Sequence, residues 1–319
     1  MGLAKMVLRR LALGVLTLLL VSIVVFTATQ ALTGDTARAI LGREATPERL
    51  TALREQLGLN RPKTTQYYSW LKGVAVGDLG TSLAQGTSVT SVLSFRLKNS
   101  AILVLMAAFI SVPLSILIGA WSAYRRDGPF DVTHSIVSLI LASLPEFVIG
   151  ILLIMLFSTQ VLHLFPAVSR LPAGSSAWTQ PDRLVLPVLA LVLSVQPYIS
   201  RILRASMIDV LESDYVQMAR LKGLKERNVV VRHALPNGLA PAVQATAISL
   251  AWLAGGVVVI EYLFAFPGIG SLYVDAIGSR DLPVVQAITM IIAALYIGLN
   301  LAADIITILI NPRLRTSLQ

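Results

Sequence analysis

The chain alternates between long uncharged apolar runs and short polar segments that hold nearly all of its charge. Residues 11–31 form the first run, with no charged residue in it. A helix needs about 20 apolar residues to cross the hydrocarbon core of a bilayer, so this run predicts transmembrane helix 1. A cleaved signal peptide is the competing reading. The run is longer than such peptides need and no small-x-small cleavage site stands out, so it is read as an uncleaved span. Five further runs follow at residues 100–124, 132–159, 184–203, 238–260 and 283–310. The third contains His134 and Glu146, and the sixth is interrupted only by Asn300 and Asp304. The predicted fold class is an all-α membrane protein of six transmembrane helices.

Two polar segments are too structured to be simple loops. In residues 32–99, Thr46 caps a helix, Pro47 takes its first position, Leu50, Leu53 and Leu57 form its apolar stripe, and Gly58 ends it. A second short helix is expected at residues 67–71, followed by a turn at Gly77-Asp78-Leu79-Gly80. The other segment, residues 214–237, is a charged island with the sequence DYVQMARLKGLKERNVVVRHALPN. Asp214 followed three residues later by Gln217 predicts a capping-box start. Tyr215, Met218 and Ala219 are expected on one helical face, with Gln217 and Arg220 opposite. Gly223 supplies the left-handed residue that ends the helix. A second short helix is expected from Lys225 to about Ala234, stopped by Pro236. The expected organisation is therefore an N-terminal segment with helix 1 (1–31), an insert (32–99), a core (100–310) containing the loop 205–237, and a tail (311–319).

Composition supports the membrane assignment. Of 319 residues, 55% are hydrophobic and 13% charged, against about 25% charged in soluble domains. The absence of cysteine excludes disulfides and thiolate metal sites. A net charge of +9 raises nucleic-acid binding, but the placement of the 26 Lys and Arg residues explains it better. Fourteen lie at both termini, at Arg125-Arg126 and between Arg201 and Arg232. The opposite short loops hold only Arg170, Arg183 and Arg280. The other nine lie in the insert, which is long enough to be largely exempt from the positive-inside rule. Both termini and the charged island are therefore expected in the cytoplasm and the insert outside. No nucleic-acid partner is expected.

The charged island resembles the cytoplasmic motif of bacterial ABC-type import permeases: Glu-Ala-Ala, three residues, Gly, nine residues, Ile-x-Leu-Pro. The corresponding positions are Gln217, Met218, Ala219, Gly223, His233, Leu235 and Pro236, of which Ala219, Gly223, Leu235 and Pro236 match. Gly77-Asp-Leu-Gly-Thr-Ser82, Arg204-Ala-Ser-Met207, Arg232-His-Ala-Leu235, Glu261-Tyr-Leu-Phe264, Pro267-Gly-Ile-Gly270 and Arg280-Asp-Leu-Pro283 extend the resemblance across nearly the whole chain. They resemble the B-type permease subunits of dipeptide and oligopeptide importers. The resemblance implies import of peptide substrate across the bacterial inner membrane. It also implies a second homologous permease, two cytoplasmic ATPase subunits and an extracytoplasmic solute-binding protein. Related members import glutathione or nickel complexes. Coupling to the ATPases is implied for Asp214, Tyr215, Gln217, Met218, Ala219, Gly223, Leu224, Arg232, His233, Leu235 and Pro236. A solvated loop with no partner is the plainer alternative. No G-x-x-x-x-G-K-[ST] phosphate loop occurs in the chain. No catalytic site, cofactor or metal is therefore expected in it, and ATP and Mg are assigned to the partner ATPases.

Glu146 follows Pro145 within an apolar run, and a carboxylate in a bilayer is a functional candidate by default. It either faces a translocation cavity and meets a peptide's amino group, or bonds a neighbouring helix. Asp304 is read as a structural contact between helices and Glu261 as a support for the loop after it. His134 and His163 are read as interfacial residues without a special role. Two other function classes compete with the importer. An ion-coupled secondary transporter would use Glu146 and Asp304 as proton sites and show inverted repeats. A membrane-embedded hydrolase would need a nucleophile–base pair, which these sparse residues do not supply.

Overall fold

The computed structural model describes residues 3–31, 45–56, 60–172 and 177–310. The ends of two expectations, Leu57 with Gly58 and Arg313 with Arg315, lie outside the described residues, as do residues 32–44 of the insert and the tail 311–319. The described chain is helical, and its only bridge pairs Thr81 with Ser88. Four helices are long and apolar enough to cross a membrane, or up to six if each of two bent pairs counts as one span.

Helix α1 (Leu3–Ala31) is followed by α2 (Pro47–Gln56) and α3 (Lys63–Ala75) in the insert. The amide of Arg49 reaches the Thr46 hydroxyl at 3.4 Å, as expected for the cap. Helix α3 is longer than the short helix expected at 67–71. It packs Tyr67 and Trp70 against Phe26 of α1, and the Tyr67 hydroxyl lies 2.8 Å from that of Ser22. At the turn that follows, Gly77 and Gly80 both take positive φ, and the Gly80 amide donates to Asp78 Oδ1.

Three long helices form the centre: α4 (Val89–Tyr124), then α7 (Asp182–Leu211) and α9 (Leu235–Leu263). Along α4, Ser111, Ser115 and Gly119 recur every fourth residue and are buried. A Cβ at Gly119 would stand 2.6 Å from the Ser200 carbonyl oxygen of α7, so the two backbones touch there. Small residues at this spacing let membrane helices approach closely. Pro113, Pro187 and Pro197 lie inside these helices without ending them.

The run at 132–159 is not one straight span. It forms α5 (Pro129–Ser143) and α6 (Glu146–Ile154), the latter continued by a π turn to Thr159. The two segments meet at 105°. Leu144 is extended, because the residue before a proline is pushed out of the helical region. Pro145 then starts the new helix at the changed direction.

The chain closes with α10 (Ile269–Gly278) and α11 (Leu282–Ile310). One apolar core joins α4, α6, α7 and α9 around Leu103, Ile149, Leu191 and Phe264. A second joins the start of α4 to α10 and α11 through Val89, Leu272 and Ile288. Helix α1 runs along α11, where Gly14 leaves room for Ile297 and Gln286 donates to Thr29 at 2.8 Å. Asp304 pairs with Arg10 of α1 at 3.1 Å, a contact between helices as expected.

Candidate functional site

The charged island folds as α8 (Asp214–Leu221), a bend, one helical turn at Glu226–Asn228 and a π segment at Val229–Ala234. Gly223 has φ +75°, its amide donates to Arg220 O, and the Leu224 amide donates to Ala219 O. This bond pair is the Schellman end of a helix, which a glycine adopts without a Cβ penalty.

Three expectations are corrected here. The N-cap is Ser213 rather than Asp214, and no side chain caps the helix; Gln217 Nε2 donates instead to Leu211 O at 3.3 Å. Pro236 does not stop the second helix. It lies in the first turn of α9, and helical backbone runs on through it from the π segment, since a local π adjustment re-satisfies the backbone groups that a proline leaves free. The buried face is also different. Val216 and Ala219 pack inward against Met207, Leu211 and Val229, whereas Tyr215 and Met218 point outward.

The loop therefore shows solvent a set of apolar side chains. Tyr215 is 47% exposed, Met218 53%, Leu221 82% and Leu224 41%. Asp214, Gln217, Gly223, Arg232 and Pro236 are exposed beside them, and His233 and Leu235 are half-buried. Arg220 spans the bend and grips Glu226, with Nη2 2.8 Å from Oε1. The Glu226 carboxylate holds the Arg220 guanidinium further above its ordinary value. Arg220 also donates to Leu211 O, which ties α8 to the end of α7.

Beside the loop lies a buried polar brace that sequence reasoning missed. Asp131 of α5 accepts from Arg204 Nε at 2.5 Å and Nη2 at 2.6 Å, from the Ser122 hydroxyl, and from the Asp127 amide. His134 Nε2 lies 3.0 Å from the Ser200 hydroxyl. A lone Asp at the head of an apolar run, facing Arg204 at the end of another, is the signal that could have found it. Near the other end of α9, the buried Glu261 accepts from the Gly270 amide at 2.6 Å, in the loop-supporting role expected of it.

Glu146 begins α6 at the 105° turn. It borders two cavities, of about 520 Å³ and 460 Å³, and Trp252 lines both with it. The first is completed by residues of α1, α9 and α11, including Thr17, Thr289 and Tyr296. The second lies against the α5–α6 corner and Ser194 of α7. Gly256 makes room for the carboxylate: a Cβ there would stand 3.1 Å from each Glu146 oxygen. The structure separates Glu146 from Asp304, which pairs elsewhere.

Residues 115–316 match the model of the binding-protein-dependent transport system inner membrane component, and residues 3–116 match the model of its N-terminal region. The glutathione transport system permease protein GsiC of Pectobacterium atrosepticum is 36% identical over 299 residues, covering 94% of this chain and 95% of that protein. The oligopeptide transport system permease protein AppB of Bacillus subtilis is 33% identical over 314 residues, covering 98% and 99%. With matches along its full length and apolar helices of spanning length, the chain belongs to the family of binding-protein-dependent transport system inner membrane components, the permease subunits of ABC importers.

Proposed function

We propose that this chain is one half of the membrane pathway of an ATP-driven peptide importer and that its 214–237 loop is where ATPase closure enters the membrane helices. The observation that carries this reading is the exposed apolar set Tyr215, Met218, Leu221 and Leu224 within an otherwise charged segment. A short amphipathic helix binds a groove through such a face. The bend at Gly223 and the Arg220–Glu226 pair hold that face at a set angle to α9. Closure of two ATPase subunits on ATP would move the loop as a unit, and the core of Met207, Val216 and Val229 would pass the motion to α7 and α9. Six apolar runs support a six-span arrangement, and the distribution of Lys and Arg supports both termini and the loop in the cytoplasm and the insert outside. The insert faces the solute-binding protein and a second permease completes the pathway. ATP and Mg are held by the ATPase subunits. The names of GsiC and AppB support a substrate among peptides, including glutathione.

The test is purification in mild detergent, followed by reconstitution with the ATPase pair and binding protein. Retention of the ATPase pair, with uptake that requires ATP and the binding protein, is expected. Uptake driven by an ion gradient without ATP would place the chain in the secondary-transporter class.

A further inference from the structure

Glu146 has no hydrogen bond or ion pair among the described residues, although it stands half-buried in apolar surroundings. Other acidic side chains drawn into the helix bundle each have at least one partner: Asp131 has Arg204, Asp304 has Arg10, Asp281 has the loop at Ser82, and Glu261 has the Gly270 amide on one oxygen while its other stays unbonded among the described residues. A carboxylate in a membrane interior is costly to keep and is ordinarily paired. The surroundings of Glu146 are shaped around it. Gly256 leaves the carboxylate its place, since a Cβ there would press on both oxygens at 3.1 Å, and the neighbouring Gly255 adds no side chain. Two cavities adjoin at this residue, and each has a volume within the range of about 300–1,000 Å³ typical of small-ligand sites. Their walls are otherwise hydroxyl-bearing or apolar, with Thr17, Ser194, Trp252, Thr289 and Tyr296 and no second charged side chain.

From this arrangement we infer that Glu146 is the permease's own contact for a cationic group of the substrate, the free ammonium of a peptide's amino terminus, as it passes between the two cavities. The inference rests on the importer reading above. An ammonium supplies three donors and the opposite charge, so it completes a carboxylate that lacks a partner in the protein. Thr17, Thr289 and the Tyr296 hydroxyl offer weaker polar contacts along the wall and favour no charge. One carboxylate without further charges binds weakly enough to release its substrate, as a passage site requires. Trp252, exposed on the same two cavities, gives an aromatic face for the same cation.

The experiment uses the full complex of both permeases, the ATPase pair and the binding protein in proteoliposomes. A tripeptide with a free amino terminus and its N-acetylated counterpart are delivered at matched occupancy of the binding protein. Glu146→Gln should lower uptake of the free peptide about tenfold, the worth of one charge-assisted hydrogen bond. It should leave uptake of the acetylated peptide, and ATP hydrolysis stimulated by the loaded binding protein, unchanged. Glu146→Asp, which keeps the charge, should retain most of the free peptide's uptake. Equal loss for both peptides, no loss for either, or failure of both variants to assemble would overturn the inference and make Glu146 structural or idle. Absence of ATP-dependent uptake by the unmodified complex would instead overturn the importer reading itself.

Discussion

Ser82 donates its hydroxyl to Asp281 at 2.5 Å, and the same carboxylate accepts the amides of Leu83 at 3.0 Å and Ala84 at 3.2 Å. The loop that leads into α4 is thereby clamped to the start of α11, almost two hundred residues further along the chain. Asp281 stands immediately before α11, where an N-cap residue would stand, yet its carboxylate serves the other loop. The two motifs Gly77-Asp-Leu-Gly-Thr-Ser82 and Arg280-Asp-Leu-Pro283 are thus two sides of one contact.

Asp281→Ala should therefore destabilise the permease by about 3 kcal/mol, because it strands two amides and a hydroxyl that share a charged acceptor. Asp281→Asn keeps one acceptor oxygen and should lose roughly half as much. Thermal unfolding of the detergent-purified complex measures both. Equal stability of the Ala variant and the unmodified chain would show that the clamp contributes nothing.

The Asp131–Arg204 pair joins α5 to α7 with Asp131 buried. Removing one member of a buried pair leaves an unpaired charge, at a cost of about 3–5 kcal/mol. Arg204→Met and Asp131→Ala should each lose folded protein on that scale. The double variant should recover part of the loss, since neither charge is left alone. A double-mutant cycle on purified protein reads the coupling, and simple additivity would show that the pair is not coupled.

At Gly223, φ of +75° strains any residue with a Cβ, and most of all a β-branched one. The position has open space around it, so the effect of Gly223→Val comes from the backbone alone. The expected result is an inserted, assembled permease whose ATPase partners hydrolyse ATP with little uptake. Gly223→Asn, which tolerates the left-handed region better, should be affected less. Uptake per ATP in proteoliposomes decides it, and normal coupling in the Val variant would remove the bend from the mechanism.

Orientation is tested by single cysteines in a chain that has none of its own. Ser69 of α3 and Arg227 beyond the bend are both exposed. Ser69→Cys should react with a membrane-impermeant thiol reagent added to intact cells. Arg227→Cys should react only after the membrane is opened. The reverse labelling would invert the proposed topology.

Much of the molecule is legible in its sequence, because a bilayer imposes a one-dimensional rule. A helix must stay apolar for about 20 residues, so residues 11–31 and the apolar stretches of α4, α7 and α11 announce themselves by length alone. Gly223 is legible for a similarly local reason, since a left-handed turn selects its residue whatever surrounds it. What depends on which faces meet is not legible. Apolar residues lie on several sides of α8, and only packing against α7 and the π segment decides that Val216 and Ala219 turn inward while Tyr215 and Met218 stay outside. Composition does not distinguish a proline that redirects a run, as Pro145 does between α5 and α6, from one carried inside a continuous helix, as Pro113 is. The partners of Asp131 and Asp281, and the lack of one for Glu146 among the described residues, are long-range facts of the same kind. They exist only once the helices have been brought together, because the energy of a buried charge is set by its neighbours in space rather than in sequence.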